Sequence, residues 1–335
     1  MQVFEDAGIC LRGRSRLHID ANGIKHANAI VTHAHSDHAR ICGGNTYLMT
    51  HETADLVKSP KHKKIPKTAK IITRKFGRKT TLSGFDISLH PSGHILGSAQ
   101  VLARSGAATA AVTSDFNLQQ SILFPPAEIL HADVLVVEST FGLPRYKFPE
   151  REDVYEDIIR WVNHATSQKR RHFVVLGGYS TGKSQELTKI LNEFCGISPV
   201  VHPRIFEQND VYQKHGAKLG QYTSLGEGLN GSDVLIMPPH LISDDLIHAL
   251  SMQLNRRVET AIATGWSGRR HKTFPLSDHA DFEQLLHYVR ESEPKLVLTQ
   301  HGFAREFANS VQRKLGIPAR PLEDAGQRTL AEFGF

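Results

Sequence analysis

Cysteine is scarce in this chain. Only Cys10, Cys42 and Cys195 occur in 335 residues, far apart and without a C-x-x-C pair. That spacing argues against a cysteine-ligated zinc site and a disulfide framework, and for a reducing compartment. Long apolar runs are also missing: no stretch reaches the roughly 20 residues that a membrane-spanning helix needs. Met1–Asp6 is acidic and lacks the apolar core of a secretory signal. The expectation is therefore a cytoplasmic protein with no membrane partner. Internal repeats and low-complexity tracts are absent. What is present suits a folded α/β protein: 40% hydrophobic residues, enough for a real core, and a length that fits two domains or one domain with a large insertion.

Acidic residues are lacking between Lys58 and Lys79, a stretch that carries Lys61, Lys63, Lys64, Lys67, Lys70, Arg74, Lys75 and Arg78. Such a block could neutralise phosphates along a nucleic-acid backbone, with Lys63, Lys64 and Lys67 as candidate contacts. A solvated loop with a lysine-protected edge strand is the competing reading. The net charge of +6 favours a polyanionic partner only modestly.

Histidine, by contrast, is abundant, with 20 residues, and it is clustered. Val31-Thr32-His33-Ala34-His35-Ser36-Asp37-His38 sets three imidazoles and a carboxylate behind an apolar run. A strand entering a loop would present His33 and His35 on one side, with Asp37 and His38 opening a following helix. Imidazole and carboxylate are suitable donors for zinc, or alternatively manganese, so two adjacent divalent metal ions are expected. Four polar residues close apolar strands: His33 itself and, further on, Asp115 after Ala111–Ser114, Glu138 after Val134–Val137, and His301 after Leu296–Gln300. Ligands gather at the carboxyl ends of strands in α/β sheets, so these positions are expected to converge. Helices are expected over Asp153–Ala165, Lys183–Phe194, Phe282–Val289 and Ala304–Leu315.

These motifs resemble the metallo-β-lactamase fold and, within it, the β-CASP nucleases. Asp20 in Leu17-His18-Ile19-Asp20-Ala21 looks like the first motif, and the His33–His38 segment the second. His94 in Ser92-Gly93-His94-Ile95-Leu96-Gly97 looks like the third, and Asp115 the fourth. His90 competes with His94, but Gly93 and Gly97 frame His94 as a loop. Glu138 in Val137-Glu138-Ser139-Thr140, His279 in Ser277-Asp278-His279-Ala280-Asp281, and His301-Gly302 look like the branch-specific signatures. The stretch from Glu138 to Pro144 and the segment around His279 are most similar to the bacterial ligase-associated DNA exonucleases.

The resemblance implies an αββα sandwich built from residues 1–148 and 262–335, with a β-CASP α/β cap over 149–261. One metal would take His33, His35 and His94, and the other Asp37, His38 and His301. Asp115 would bridge them, with Asp20 behind the ligands. His279 would act as general acid, oriented by Glu138. DNA cleavage in repair beside an ATP-dependent DNA ligase is the implied role. His301, the residue typical of RNA-processing members, keeps an RNA nuclease open as the alternative.

Gly177-Gly178-Tyr179-Ser180-Thr181-Gly182-Lys183-Ser184 also matches the P-loop pattern. No later strand clearly ends in a magnesium-holding Asp, so a nucleotide-binding module is the less favoured reading. A helix N-terminus there could instead hold a substrate phosphate through Ser180, Thr181 and Lys183. Asp281 reads as a helix cap rather than a catalytic group.

Overall fold

The computed structural model describes residues 1–59, 65–229, 231–268 and 270–324. Two compact units emerge. The first joins Met1–Gln120, Phe124–Lys147 and the described residues from His279 onward; the second comprises Ser121–Leu123 and Phe148–Asp278.

The first unit opens with β1 (Gln2–Glu5), β2 (Ile9–Arg12), β3 (Arg16–Ile19), β4 (Asn28–Ile30), β5 (Thr46–Met49) and β6 (Lys70–Thr73), hydrogen-bonded in that order. Helix α1 (His51–Lys58) lies between β5 and β6, with Thr50 capping its first turn. A second sheet begins with β7 (Thr80–Leu82), β8 (Phe85–Pro91), β9 (Ala99–Ser105), β10 (Ala108–Val112) and β11 (Val134–Glu138).

The second unit supplies α2 (Arg151–Thr166), β12 (Phe173–Gly177), α3 (Lys183–Phe194), β13 (Val200–Val201), α4 (Pro203–Lys214), β14 (Thr223–Ser224), β15 (Val234–Met237), α5 (Asp244–Leu254), β16 (Val258–Ala263) and β17 (Lys272–Phe274). Its strands run parallel in the order β14-β13-β15-β12-β16-β17. Val154, Ile158 and Val162 of α2 and Leu187, Ile190 and Leu191 of α3 pack against one face of this sheet, and α5 packs against the other.

Back in the first unit, α6 (Phe282–Ser292), β18 (Leu296–Gln300), α7 (Ala304–Leu315) and β19 (Ala319–Pro321) complete the second sheet as β19-β18-β11-β10-β9-β8-β7. Residues two apart along each strand point to the same face, and this alternation builds the layers. Leu11, Leu17, Ile19 and Leu48 of the first sheet meet Ile87, Val101, Val112, Val136 and Leu298 of the second in one core. On the outer face of the second sheet Leu135, Val137 and Val297 pack with Leu285, Val289, Phe307 and Val311 of α6 and α7. On the outer face of the first, Ala29, Tyr47 and Met49 meet Ala54 of α1. This is the αββα sandwich of the metallo-β-lactamase fold, interrupted by an α/β insert.

Strand β17 pairs with β16, and where the sequence reading places the insert's end at 261, the second compact unit runs to Asp278. A buried ion network holds that end. Arg151 donates to Glu186 at 2.8 and 2.6 Å, to Asp278 Oδ1 at 3.2 Å and to the Ser277 carbonyl at 2.5 Å. Lys183 Nζ meets Asp278 Oδ2 at 2.7 Å. Breaking such a group by removing one partner leaves a buried charge uncompensated. Arg151→Met is expected to destabilise the protein by about 3–5 kcal/mol, measured by denaturant unfolding of the whole chain. A loss below about 1 kcal/mol, the usual worth of an exposed pair, would show that the network is solvated.

Candidate metal centre

The histidine-rich segment follows β4, which ends at Ile30. No helix follows, contrary to the expectation for Asp37 and His38. Residues 33–38 form bends and a single turn, with the His38 and Ala39 amides donating to the His35 carbonyl. The tight turn brings the ring of His33 within 4.9 Å of His35 and 4.1 Å of His38, centroid to centroid.

Two groups of donors result. His33, His35, His94 and Asp115 offer ligand atoms within 4.8 Å of one another, as do His38, Asp115 and His301. His35 Nδ1 lies 3.2 Å from His33 Nε2 and 3.0 Å from His94 Nε2. Asp115 Oδ2 lies 3.4, 3.6 and 3.7 Å from Nε2 of His33, His38 and His94. Ligands around a tetrahedral zinc with bonds of roughly 2.0–2.1 Å are spaced by roughly 3.3 Å, so the residues present fit a bound cation. Asp115 belongs to both groups. Asp37 is exposed, with Oδ2 3.7 Å from His38 Nε2. His301 is also exposed, its ring centroid 5.5 Å from that of His38.

Carboxylates behind the imidazoles set their orientation. Asp20 Oδ2 faces His38 Nδ1 at 2.8 Å, leaving Nε2 toward Asp115. The same carboxylate accepts from the Thr32 amide at 2.8 Å and the Thr32 hydroxyl at 2.6 Å. Thr32 Oγ1 also lies 2.7 Å from Ser114 Oγ and 3.1 Å from His33 Nδ1. Sequence reasoning missed Thr32 and Ser114, although each directly precedes a residue it had singled out. Burial drives His33 well below the usual histidine range, aided by repulsion from His38. Burial opposes charging His38 too, but attraction to Asp115 and Asp20 outweighs it and raises that pKa to about 10. The Asp115 carboxyl is held well below its usual range: burial would raise it, but attraction to His38 and His279 prevails.

His279 borders the centre, its ring 4.8 Å from that of His94. Its Nδ1 meets Glu138 at 2.9 and 3.0 Å. Glu138 is fully buried and also accepts from the Phe116 amide at 2.9 Å and from Thr140 Oγ1 at 2.5 Å. Its oxygens are thus occupied in orienting His279. His90, the competitor of His94, is turned to Glu128 and Ser88, each at 2.9 Å. The glycines framing His94 are sterically required. Both have positive φ, and a Cβ on Gly93 would stand 2.6 Å from the Asn117 carbonyl oxygen.

The phosphate-holding expectation for Ser180, Thr181 and Lys183 meets other partners within the insert. Lys183 is buried in the ion pair with Asp278, the Ser180 carbonyl accepts from Gln185, and Thr181 Oγ1 lies 3.3 Å from Gln208. The Gly182 amide donates to Gln185 Oε1 and the Ser184 amide to the Tyr179 carbonyl. Donors that a P-loop would turn to phosphate are used internally, so the match is one of pattern only. Lys63 and Lys64 lie outside the described residues, and Lys67 is exposed. A cavity of about 840 Å³ is lined by His51, Arg74, Lys75, Arg78 and Lys79, moving the basic surface toward the later part of that block.

No family model matches the chain. It is 32% identical over 317 residues to a probable DNA ligase of Opitutus terrae, covering 90% of this chain and 29% of that protein. It is 33% identical over 121 residues to the RNase aCSPSF2 of Saccharolobus solfataricus, covering 35% of this chain and 24% of that protein. The chain thus spans less than a third of the length of either relative. A crystal structure of a protein of unknown function from Enterococcus faecalis V583 matches with a TM-score of 0.66 at 13% identity, over 97% of this chain and 98% of that one. The likeness in structure shows the shared fold.

Residues that orient ligands typically change metal affinity by 10–100-fold. Asp20→Ala is expected to weaken binding at the His38 site by that order, read by competition with a chelating indicator. Unchanged affinity would mean that His38 is oriented without Asp20.

Proposed function

We propose that the chain is a metal-dependent nuclease that hydrolyses phosphodiester bonds, in particular a DNA exonuclease of repair in the cytoplasm. The observation that carries the reading is the pair of imidazole–carboxylate groups sharing Asp115, with His279 beside them. In it, one divalent cation would be held by His33, His35, His94 and Asp115, and the other by Asp37, His38, His301 and Asp115, with zinc favoured by the donor set and manganese the alternative. When bound, two such cations supply Lewis acidity and an activated water.

The protein's own groups do the rest. Asp20 fixes the tautomer of His38. Glu138 accepts a hydrogen bond from Nδ1–H of His279 and its negative charge favours the doubly protonated ring, whose Nε2–H would then supply the proton that the leaving sugar oxygen needs. Protonation of that oxygen leaves a 3′-hydroxyl on one product and a 5′-phosphate on the other. The three cysteines are free thiols, which fits a reducing compartment. Among the described residues no helix is long and apolar enough to cross a membrane.

DNA is favoured because the alignment with the probable DNA ligase runs over nine-tenths of this chain. Action on ends that a ligase also handles is part of this proposal. RNA processing is the second reading, supported by His301 and by the similarity to an archaeal RNase. Side-by-side digestion of end-labelled DNA and RNA, single- and double-stranded, with zinc or manganese added, tests the assignment. Faster release of nucleotides from DNA ends is expected; cleavage confined to RNA would transfer the assignment to the second reading.

His279→Ala is expected to retain metal and lose at least ~10²-fold in rate, the usual contribution of a general acid. Metal content and single-turnover rate, measured on the same sample, check this; an unchanged rate would contradict the role. Neutral replacements at Arg74, Lys75 and Arg78 should weaken duplex binding. Each lost phosphate contact should flatten the slope of log K against log salt by up to about 0.9. An unaltered slope would make the block a solubilising surface.

A further inference from the structure

One cation in the first unit, close to the histidine groups, has no acidic partner among the described residues. Arg145 is exposed, and its guanidinium carbon stands 5.0 Å from the ring centroid of Tyr146 and 5.5 Å from that of Phe303. Its Nη2 donates to the Tyr146 hydroxyl at 3.2 Å. The two rings lie 5.7 Å apart and together form a support for the guanidinium.

Both rings are tied to segments that carry reactive histidines. The Tyr146 carbonyl accepts the amide of Phe282, three residues beyond His279. The Tyr146 ring packs 5.0 Å from Phe141, whose ring lies 6.0 Å from that of His279. On the other side, the Phe303 amide donates to the Ser139 carbonyl at 2.9 Å, while Ser139 Oγ donates to the His301 carbonyl at 2.7 Å. The turn between is rigid: His301 has φ +60°, Gly302 has φ +50°, and a Cβ at Gly302 would stand 2.5 Å from the Ser139 carbonyl oxygen. The guanidinium is therefore held between the His279 and His301 segments.

Guanidinium stacked on aromatic rings retains its charge and its forked donors, which match a phosphate in bidentate fashion. The rings also reduce the freedom that the side chain would lose on binding. Resting on the phosphodiesterase reading above, we propose that Arg145 binds a non-scissile phosphate of the substrate strand and so makes the site prefer nucleic-acid polymers to isolated diesters.

The test compares wild type, Arg145→Ala and Arg145→Lys on two substrates: an end-labelled single-stranded DNA, and bis(p-nitrophenyl) phosphate, which has no second phosphate. Arg145→Ala should raise KM for DNA by about tenfold, the order expected when a charged hydrogen bond is lost, with kcat retained, the mark of lost uniform binding. Hydrolysis of the small diester should stay within about twofold of wild type, and Arg145→Lys should fall between. Fluorescence anisotropy of a labelled single-stranded oligonucleotide on metal-free protein should show the same order of affinities, independently of turnover. Equal losses on both substrates would make Arg145 a structural residue and overturn the proposal, as would an unchanged KM and affinity. Wild-type protein that cleaves neither substrate yet binds the oligonucleotide through Arg145 would refute the hydrolytic reading while supporting the contact.

Discussion

The convergence on Asp115 is the constraint on which the rest of the centre depends. A carboxylate that is 7% exposed stands within 4 Å of three imidazole nitrogens, two from the His33–His38 turn and one from the loop that carries His94. Imidazoles crowded at 3.0–3.2 Å repel one another when charged, and burial opposes charging His33. Imidazoles kept neutral direct their lone pairs at one another, and divalent cations would accept those lone pairs, which is why the arrangement makes chemical sense as a metal centre. The sandwich exists in this form because β10, β11 and β18 run parallel, so that Asp115, Glu138 and His301 emerge at one sheet edge.

Holding that edge requires backbone strain. Asp20, Ser114 and His301 all have left-handed φ values of +51°, +52° and +60°, and each follows the end of a strand that feeds the site. Such conformations persist only where surrounding bonds over-determine them. Here they do: Asp20 receives hydrogen bonds from Thr32, Ser114 Oγ meets Thr32 Oγ1, and the His301 carbonyl accepts from Ser139. Two buried or half-buried carboxylates, Asp20 and Glu138, hold the Nδ1 atoms of His38 and His279; in the proposed reading the first imidazole would then face a metal and the second a proton transfer.

Legibility in the sequence followed burial. The central strands β11, β12, β15 and β18 are buried on both faces, so they stand out as uninterrupted apolar runs. Strands β1 to β3 carry only four residues each and include Arg12 and Arg16, so no run marks them. Helix α5 was missed although Ser243 and the acidic pair Asp244 and Asp245 form a helix-start signal. The donor residues themselves were readable, because imidazoles at strand ends have few other uses. Local geometry was not: a helix was expected after Asp37 where a turn stands. The ion pair of Lys183 was not readable either, since its partner Asp278 lies 95 residues away and no local pattern reveals a buried ion pair.

The central claim is that two cations share one carboxylate. Electron paramagnetic resonance of protein loaded with manganese addresses it most directly, because ions bridged by Asp115 interact magnetically whereas isolated ions do not. The account predicts an exchange-coupled signal at full loading that gives way to uncoupled manganese in Asp115→Ala. A spectrum of independent ions in the wild-type protein at full loading would contradict it.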